Sequence, residues 1–346
     1  MAQVNKKLIE NILFENEKAE AFIDKNDYGN AAKLLLEFQK ESWEKLASGY
    51  KSLDSLQIKE FDFNNFKIKV QFNPGRIISS SAKVDSKSIN NRTCFLCYEN
   101  LPAEQKGILY KHEYLILCNP YPIFPEHFTL SNINHFPQSI KESFDMLLTF
   151  SKDLSQFYSV FYNGPKCGAS APDHLHFQAG NNYFIPIDDE FEFLKDKYGE
   201  ILIKNDKLTV RGIDDGLRRY ISLEGNSKKA IINSFNIFFD IYYSIANNGE
   251  EPMMNILSSY QQESGWRIII FLRNKHRSSH YFEEGYKNIL ISPAAVDIGG
   301  VCITPLEKDF KKITKELLQE IFQEIIIGKE HFDFIKSSLT KKLIIR

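Results

Sequence analysis

The chain has 346 residues, and its formal net charge of -2 gives no support for a nucleic-acid partner. Its length allows two domains or one large domain, it has no apolar run of membrane-spanning length, and its N-terminus lacks a secretion signal. A composition of 43% hydrophobic and 25% charged residues, with five cysteines, predicts a cytoplasmic globular protein without a disulfide scaffold or a membrane partner.

Two helical segments are predicted near the N-terminus, over residues 4–25 and 28–49. Apolar residues recur in both at the spacing of one helix face, and Asn26-Asp27 marks the break between them. We interpret residues 1–55 as a helical N-terminal extension that packs on the main body.

A strand is predicted over residues 58–72, where apolar residues alternate with polar ones. A turn follows at Asn73-Pro74-Gly75, and two cations, Arg76 and Lys83, come after it. Both cations are suited to binding phosphate, and arginine can do so through a bidentate fork. The alternative interpretation is a solvated turn with two surface cations.

Cys94 and Cys97 form a Cys-x-x-Cys pair, which is ambiguous among a zinc site, a redox site and chance. A structural zinc ion needs four nitrogen or sulfur ligands, and His127 and His174 are the candidates for the other two. A redox pair is the second interpretation. Such a pair usually opens a helix in a βαβ unit, and no such unit is predicted here.

Residues 137–158 have the apolar spacing of a helix, and residues 157–162 form a predicted strand that leads into a loop. The loop contains Gly168, Ala169 and Ser170. Small side chains let backbone N–H groups approach an anion closely, and several such groups together form a concave seat for a phosphate.

His174, His176 and Gln178 alternate after this loop, so on a strand their side chains should share one face, with Leu175 and Phe177 pointing into the core. A neutral imidazole can attack phosphorus and form a covalent phospho-histidine. His176 is the candidate nucleophile because it is the central polar residue, and Gln178 could donate a hydrogen bond to a phosphate oxygen. The alternative is a pair of hydrogen-bonded strand histidines without a catalytic role.

The C-terminal part is predicted to contain a helix at about 227–247, antiparallel strands within 254–304, a long helix over 306–328 and a short lysine-rich ending. The predicted strands include Lys287 to Ser292. A basic cluster between Arg267 and Arg277 follows one of the strands. Such a cluster is usually a solvated face, but it could also reach a second phosphate or a sugar phosphate.

The motif His-Leu-His-Phe-Gln at residues 174–178 resembles the histidine-triad superfamily, especially its transferase branch. That branch includes galactose-1-phosphate uridylyltransferase, diadenosine tetraphosphate phosphorylase and the GDP-hexose phosphorylases. Gln71 to Arg76 is similar to a segment near the nucleotide site of the GDP-hexose phosphorylases. The resemblance implies that His176 becomes nucleotidylated and that Gln178 supports the intermediate. The predicted nucleotide and phosphate site comprises Asn73, Arg76, Lys83, Asn163, Gly168, Ala169 and Ser170.

The resemblance also implies a metal site. Zinc-bearing members hold the ion with a Cys-x-x-Cys pair, a later histidine and the first histidine of the His-x-His motif. We therefore predict a structural Zn²⁺ ion bound by Cys94, Cys97, His127 and His174. The plant GDP-hexose phosphorylases lack the cysteine pair, so this chain combines features of two branches.

The resemblance implies an α+β fold of antiparallel sheets with flanking helices and two histidine-triad-like halves. The catalytic half is predicted at 56–184 and a degenerate half, with a C-terminal helix, at 185–346. The predicted enzyme is a nucleotidyltransferase or phosphorylase. Its donor would be a nucleoside diphosphate sugar, GDP-hexose being favoured, or a dinucleoside polyphosphate, and its acceptor inorganic phosphate or a sugar 1-phosphate. The alternatives are a histidine-triad nucleotide hydrolase and a non-catalytic, zinc-stabilised nucleotide-binding protein, and a homodimer is one expected state.

Overall fold

The computed structural model describes residues 6–82, 84–246 and 249–344. In these ranges the helices are α1 (Lys6–Ile12), α2 (Glu17–Ile23), α3 (Tyr28–Ser42), α4 (Glu44–Lys51), α5 (Ile77–Ser80), α6 (Ser86–Asn90), α7 (Phe144–Asp153), α8 (Pro186–Tyr198), α9 (Lys228–Ala246), α10 (Ala295–Gly299), α11 (Glu307–Lys312), α12 (Lys315–Ile325) and α13 (Lys329–Ile344). None of these described helices combines the length and the apolar character needed to cross a membrane.

The strands of the same ranges are β1 (Gln57–Phe63), β2 (Phe66–Phe72), β3 (Gly107–Tyr110), β4 (Tyr114–Cys118), β5 (His127–Asn132), β6 (Tyr158–Asn163), β7 (His176–Asn181), β8 (Gly199–Lys204), β9 (Thr209–Asp214), β10 (Arg219–Gly225), β11 (Met254–Gln261), β12 (Gly265–Leu272) and β13 (Val301–Thr304). They form a ten-stranded sheet and a three-stranded sheet. This arrangement confirms the predicted α+β class with antiparallel sheets and flanking helices.

The ten-stranded sheet contains one strand arrangement twice. Its order is β3-β4-β5-β7-β6 in the first half, followed by β11-β12-β10-β9-β8, which is the same order read from the opposite edge. A helix stands at the same point of each half, α7 before β6 and α9 before β11. The halves meet where β6 pairs antiparallel with β11. The boundaries between the two predicted halves, 56–184 and 185–346, stay a prediction. Strand β13 comes from the second half but pairs with β2 of the first half.

The two faces of this sheet carry separate cores, and the strand period of two decides which residue enters which core. On β12, Ile268 and Ile270 belong to one core with α3, α7, α9 and α13, whereas Ile269 and Phe271 belong to the other. On β7, Phe177 enters the first core. His176 and Gln178 therefore point to the second face, which the small sheet, α8, α10 and α12 cover.

Four predictions of local structure are wrong in detail. The strand predicted over 58–72 is a hairpin, because Asn64 and Asn65 both have positive φ angles of 50° and 75°, as a tight two-residue turn requires. Residues 287–292 form no strand. The helix predicted over 306–328 is two helices, since Thr314 caps α12 by accepting a bond from the backbone of Leu317. The predicted lysine-rich ending is helix α13.

The remaining differences concern the N-terminal extension and the region after Gly180. The N-terminal extension consists of four helices rather than two. The region of mixed character after Gly180 contains strands β8, β9 and β10, which complete the second half of the sheet. Only β8 lies at the sheet edge, and the three strands have six or seven residues each.

Candidate functional site

A cavity of about 630 Å³ opens over the second face of the large sheet, beside the start of β7. Residues from both halves of the molecule line it. The first half contributes His176, Gln178, Asn163 and the loop 168–171, and the second half contributes His276, Arg277, Ser292, Ala294 and Asp297. Arg76 joins them from the turn after β2. The structure therefore brings most of the predicted phosphate and catalytic residues to one place.

His176 is held so that one ring nitrogen stays available. Its Nδ1–H donates to the carbonyl oxygen of His174 at 2.8 Å, which leaves the lone pair on Nε2. No described residue forms a hydrogen bond with Nε2. Burial lowers the pKa of His176 below its ordinary value. The imidazole is thus neutral at neutral pH, which is the form that can act as a nucleophile.

The backbone of His176 is fastened by Gln138, a residue that the sequence analysis did not select. The Gln138 Oε1 atom accepts from the His176 N–H at 2.8 Å, and its Nε2 donates to the carbonyl oxygens of His176 and Asn163, each at 3.0 Å. The β6–β7 ladder ends at the pair Phe161 and Gln178. The Gln138 amide therefore takes the place of strand pairing just where the two strands separate.

The orientation of the Gln178 amide is determined by His127. The backbone N–H of Ile123 donates to His127 Nδ1 at 3.3 Å, so the proton of this ring is on Nε2. That Nε2–H donates to Gln178 Oε1 at 2.9 Å. Burial, with a further contribution from the charge of Arg76, lowers the pKa of His127 to about 3 and keeps the ring neutral. Gln178 consequently has its amino group free to donate to an anion in the cavity.

The loop before β7 comes close to the second half of the molecule. Gly168 has a φ angle of +90°, and a Cβ atom there would lie 2.6 Å from the Cβ of Ala294. Glycine is required for both reasons, the left-handed backbone and the close approach. The loop from Gly168 to Ser170 lines the cavity together with His176, as a phosphate seat requires.

Two arginines at the cavity have no carboxylate partner among the described residues. Arg76 is half-buried, and its Nη1 donates to the carbonyl of Tyr121 at 2.6 Å, while its Nε has no described partner. Arg277 donates to Ser292 Oγ at 2.8 Å. Burial raises the pKa of the nearby Asp297 to about 6, and both oxygens of this carboxylate accept backbone N–H bonds. Positive charge thus exceeds negative charge around the cavity.

A Cys₂His₂ cluster lies beside the phosphate loop, formed by Cys94, Cys97, His135 and His174. Their ligand atoms all lie within 4.8 Å of one another. Cys97 Sγ is 3.1 Å from His135 Nδ1, and Cys94 Sγ is 3.4 Å from His174 Nδ1. Tetrahedral zinc with ordinary bond lengths separates sulfur from nitrogen by about 3.5 Å. His174 Nε2–H donates to the carbonyl of Asn132 at 2.7 Å, which leaves Nδ1 free for a metal.

The prediction of His127 as a zinc ligand is corrected by this geometry. Both nitrogens of His127 are already used by Ile123 and Gln178, and His135, which follows β5, occupies the fourth position instead. Both histidines come after the cysteine pair and before the His-x-His motif, so the order of residues along the chain did not distinguish them.

Asn73, which the sequence predicts to bind the nucleotide or phosphate, is buried and does not line the cavity. Its amide donates to the carbonyl of Pro122 at 3.1 Å and to Gln71 Oε1 at 3.3 Å. It thereby holds the turn that presents Arg76. Lys83 lies outside the described residues.

The predicted basic cluster is divided by the fold. Arg267 forms an ion pair with Asp188 at 3.1 Å, and Lys275 pairs with Glu324 at 3.2 Å. His276 and Arg277 line the cavity, as the alternative interpretation of the cluster required, and Arg273 is completely buried behind them.

Replacing Gln138 with methionine is expected to lower kcat about 10- to 100-fold with a smaller change in KM. Three backbone groups at His176 and Asn163 lose their hydrogen-bond partner in this variant, and leaving each group unpaired costs about 1–3 kcal/mol. Steady-state kinetics would measure the split. Asn182→Leu is the matched control, since Asn182 bridges to Ser155 at the opposite end of the same strand pair. Equal losses of kcat in both variants would contradict a positioning role for Gln138.

Comparison with known proteins gives two family matches. Residues 35–181 match a family described as a domain of unknown function (DUF4922), and residues 244–344 match one described as the GDPGP1-like C-terminal domain. Galactose-1-phosphate uridylyltransferase of Clostridium acetobutylicum is 26% identical over 218 residues, which are 57% of this chain and 43% of that protein. The protein of the same name from Bacillus subtilis is 30% identical over 122 residues, 30% of this chain and 23% of that protein. The chain thus matches less than half the length of these relatives.

Solved structures share the fold. The crystal structure of yeast Ap4A phosphorylase Apa2 superimposes with a TM-score of 0.53 at 16% identity, covering 84% of this chain and 97% of that chain. Its complex with Ap4A gives a TM-score of 0.51. Together with the sequence matches, this fold confirms the resemblance to the transferase branch of the histidine-triad superfamily.

Proposed function

We propose that the chain is a nucleotidyltransferase that works by double displacement through His176. The observation that carries this proposal is the Nε2 atom of His176. It belongs to a neutral ring, it has no described hydrogen-bond partner, and the ring lines a cavity between the loop from Gly168 to Ser170 and Gln178.

In the first step, the Nε2 lone pair attacks the α-phosphorus of the donor nucleotide. A P–N bond forms, the bond from phosphorus to the leaving oxygen breaks, and the electron pair departs with that oxygen. The imidazole ring becomes cationic in the intermediate. Its Nδ1–H, already bonded to the carbonyl oxygen of His174 at 2.8 Å, forms a stronger bond as the ring gains charge.

In the second step, an oxygen of the acceptor attacks the same phosphorus and the P–N bond breaks. The bond electrons return to Nε2, and the ring is neutral again. An acceptor such as inorganic phosphate is itself an anion at neutral pH and needs no deprotonation by the protein. Splitting one transfer into two displacements in this way is typical of covalent catalysis.

Charge on the equatorial oxygens is stabilised by groups that are oriented before the substrate arrives. The free amino group of Gln178, the backbone N–H groups of the loop 168–170 and the guanidinium of Arg76 serve this role. Donors held in place in a dry cavity stabilise a transition state more than mobile water does. Gln178 contributes a hydrogen bond without adding charge.

The metal would be a structural zinc ion held by Cys94, Cys97, His135 and His174. Four nitrogen and sulfur ligands close the coordination shell and leave no position for a catalytic water. The ion would tie the start of β7 to the segment after β5. This would fix the position of His174 and, two residues on, of His176.

The donor in this proposal is a nucleoside diphosphate sugar, with GDP-hexose favoured, or a dinucleoside polyphosphate. The acceptor is inorganic phosphate or a sugar 1-phosphate. The names of the relatives support these classes, because they include a uridylyltransferase and an Ap4A phosphorylase. The cytoplasmic location and the homodimer stay predictions.

The proposal is tested by measuring the intact mass of the protein after incubation with nucleotide sugars and dinucleoside polyphosphates in the absence of phosphate. We expect a mass gain of one nucleoside monophosphate with one class of donor, and the mass identifies the base. Added phosphate or sugar 1-phosphate should then remove the adduct. Turnover of a donor to free nucleoside monophosphate without any adduct would instead indicate a hydrolase.

A further inference from the structure

Arg273 is a completely buried arginine that follows β12 in the second half of the molecule and does not itself line the cavity. It is 2% exposed, and each of the five hydrogen bonds of its guanidinium ends on a neutral oxygen. The acceptors are the side-chain oxygen of Asn255 and the carbonyl oxygens of Ile325, Pro293, Lys275 and His276. Arginine stays protonated in proteins, so a full positive charge lies here.

No carboxylate of the described chain lies within ion-pair distance of Arg273. Two other arginines of the same half are paired, Arg218 with Asp215 at 2.7 Å and Arg267 with Asp188 at 3.1 Å. A buried charge without a counter-ion is costly and therefore rare. Arg273 thus shares the lack of a carboxylate partner with Arg277 and differs from it in being completely buried.

The hydrogen bonds of Arg273 lead to the cavity along three routes. Asn255, which accepts from Arg273 Nη1 at 2.5 Å, donates to Asn163 Oδ1 at 2.8 Å and to the carbonyl of Cys167 at 2.7 Å. Asn163 lines the cavity, and Cys167 precedes Gly168. Pro293 adjoins Ala294, the residue that Gly168 contacts. The third route reaches the His276 backbone directly.

The charge of Arg273 is felt at the cavity wall. Burial, with smaller contributions from the charges of Arg277, Arg273 and Lys166, lowers the pKa of His276 to about 3. His276 lines the cavity. The charge of the buried guanidinium therefore acts at the wall of the space where an anion would bind.

We propose that Arg273 is a positioning residue of the transfer reaction and that its missing counter-ion is a phosphate group of the substrate bound in the cavity. The second half, which lacks the His-x-His motif, then supplies positive charge beneath the phosphate seat and holds its walls through Asn255 and Asn163. This inference rests on the proposed function and identifies which part of the degenerate half serves it.

The test uses inorganic pyrophosphate as the probe, titrated calorimetrically at constant ionic strength. Arg273→Met removes the charge and should weaken pyrophosphate binding about tenfold or more. Arg273→Lys keeps the charge and should retain more of the affinity. Arg267→Met is the matched control, because Arg267 lies on β12, the strand that Arg273 follows. This variant should bind pyrophosphate like the unaltered protein. Equal losses in the methionine and lysine variants of Arg273 would overturn the role of its charge.

Asn255→Asp provides a second variant that leaves Arg273 in place. A carboxylate at this position neutralises the guanidinium but cannot make the two bonds that Asn255 donates to Asn163 and Cys167. Pyrophosphate affinity should therefore fall further than in Asn255→Leu, which loses the same two bonds and leaves the charge of Arg273 in place. Affinity within about twofold of the unaltered protein would overturn the proposal, and so would an unaltered protein that does not bind pyrophosphate.

These outcomes are separable from those of the proposed function. Binding that depends on Arg273, without a nucleotidyl adduct on His176, would support this inference and refute the covalent mechanism. An adduct that forms normally in all variants, with no change in pyrophosphate affinity, would support the covalent mechanism and refute the proposed role of Arg273.

Discussion

Substitution of His176 by alanine is expected to lower turnover by about 10⁴-fold or more, because the nucleophile of a covalent mechanism has no substitute. The methyl group cannot form the P–N bond. Initial rates with the donor identified by mass measurement would give the loss. The mass gain of one nucleoside monophosphate should disappear in the same variant.

The control for His176→Ala is His331→Ala, since His331 is exposed on helix α13. This variant should keep both its rate and its adduct. The His176 variant should also keep its affinity for inorganic pyrophosphate, because the phosphate seat and the buried arginine are unchanged. Full turnover by His176→Ala would refute the double displacement, whatever the state of the metal site.

Loss of one zinc equivalent per chain is expected when His135 is replaced by alanine, because a site with three ligands holds the ion far less tightly. Binding at a thousandfold excess over the dissociation constant stabilises a fold by about 4 kcal/mol. A chain of this size should therefore lose about 5 °C of melting temperature with the ion. Elemental analysis and thermal unfolding would measure the two effects, and a strong chelator should reproduce them in the unaltered protein.

The matched control for His135→Ala is His127→Gln. His127 lies near the cavity but not in the Cys₂His₂ cluster, and an amide can still donate toward Gln178. This variant should retain its zinc, although its turnover is expected to fall because Gln178 is less well oriented. Zinc loss in His127→Gln with zinc retained in His135→Ala would restore the ligand set that the sequence predicts.

The metal cluster and the proposed nucleophile are adjacent in the chain, since only Leu175 separates His174 from His176. The carbonyl of His174 also accepts the hydrogen bond that Nδ1–H of His176 donates. Release of His174 from a metal therefore frees the carbonyl that selects the tautomer of His176. For this reason chelation should lower kcat before the global fold is lost, which can be followed at a temperature well below the melting point of the metal-free protein.

Several features of the fold have a local signal in the sequence. The Asn64-Asn65 pair between alternating phenylalanines is a hairpin signal of the usual kind, and its recognition would have divided the predicted strand correctly. Thr314 followed by Leu317 marks the start of a helix in the same way. The α+β class follows from such local patterns, because the strand and helix periods differ.

The residues around the nucleophile follow from long-range pairing instead. Gln138 reaches His176 because the segment before α7 crosses the open end of the β6–β7 pair. Arg273 reaches Asn163 only because β11 lies between β12 and β6. Neither contact has a sequence motif, since each depends on the order of strands in the sheet and not on spacing along the chain.

The sequence by itself determined the alternating His174, His176 and Gln178, the small-residue loop before them and the Cys94–Cys97 pair, because spacing within one strand or turn is a local property. Only the tertiary structure decided that His135 rather than His127 completes the metal cluster, that Gln138 fastens the nucleophile, and that Arg273 is buried without a carboxylate. Each of these depends on which distant segments the ten-stranded sheet brings together. The sequence contains several histidines and arginines with the same chemistry, and spacing along the chain does not distinguish them.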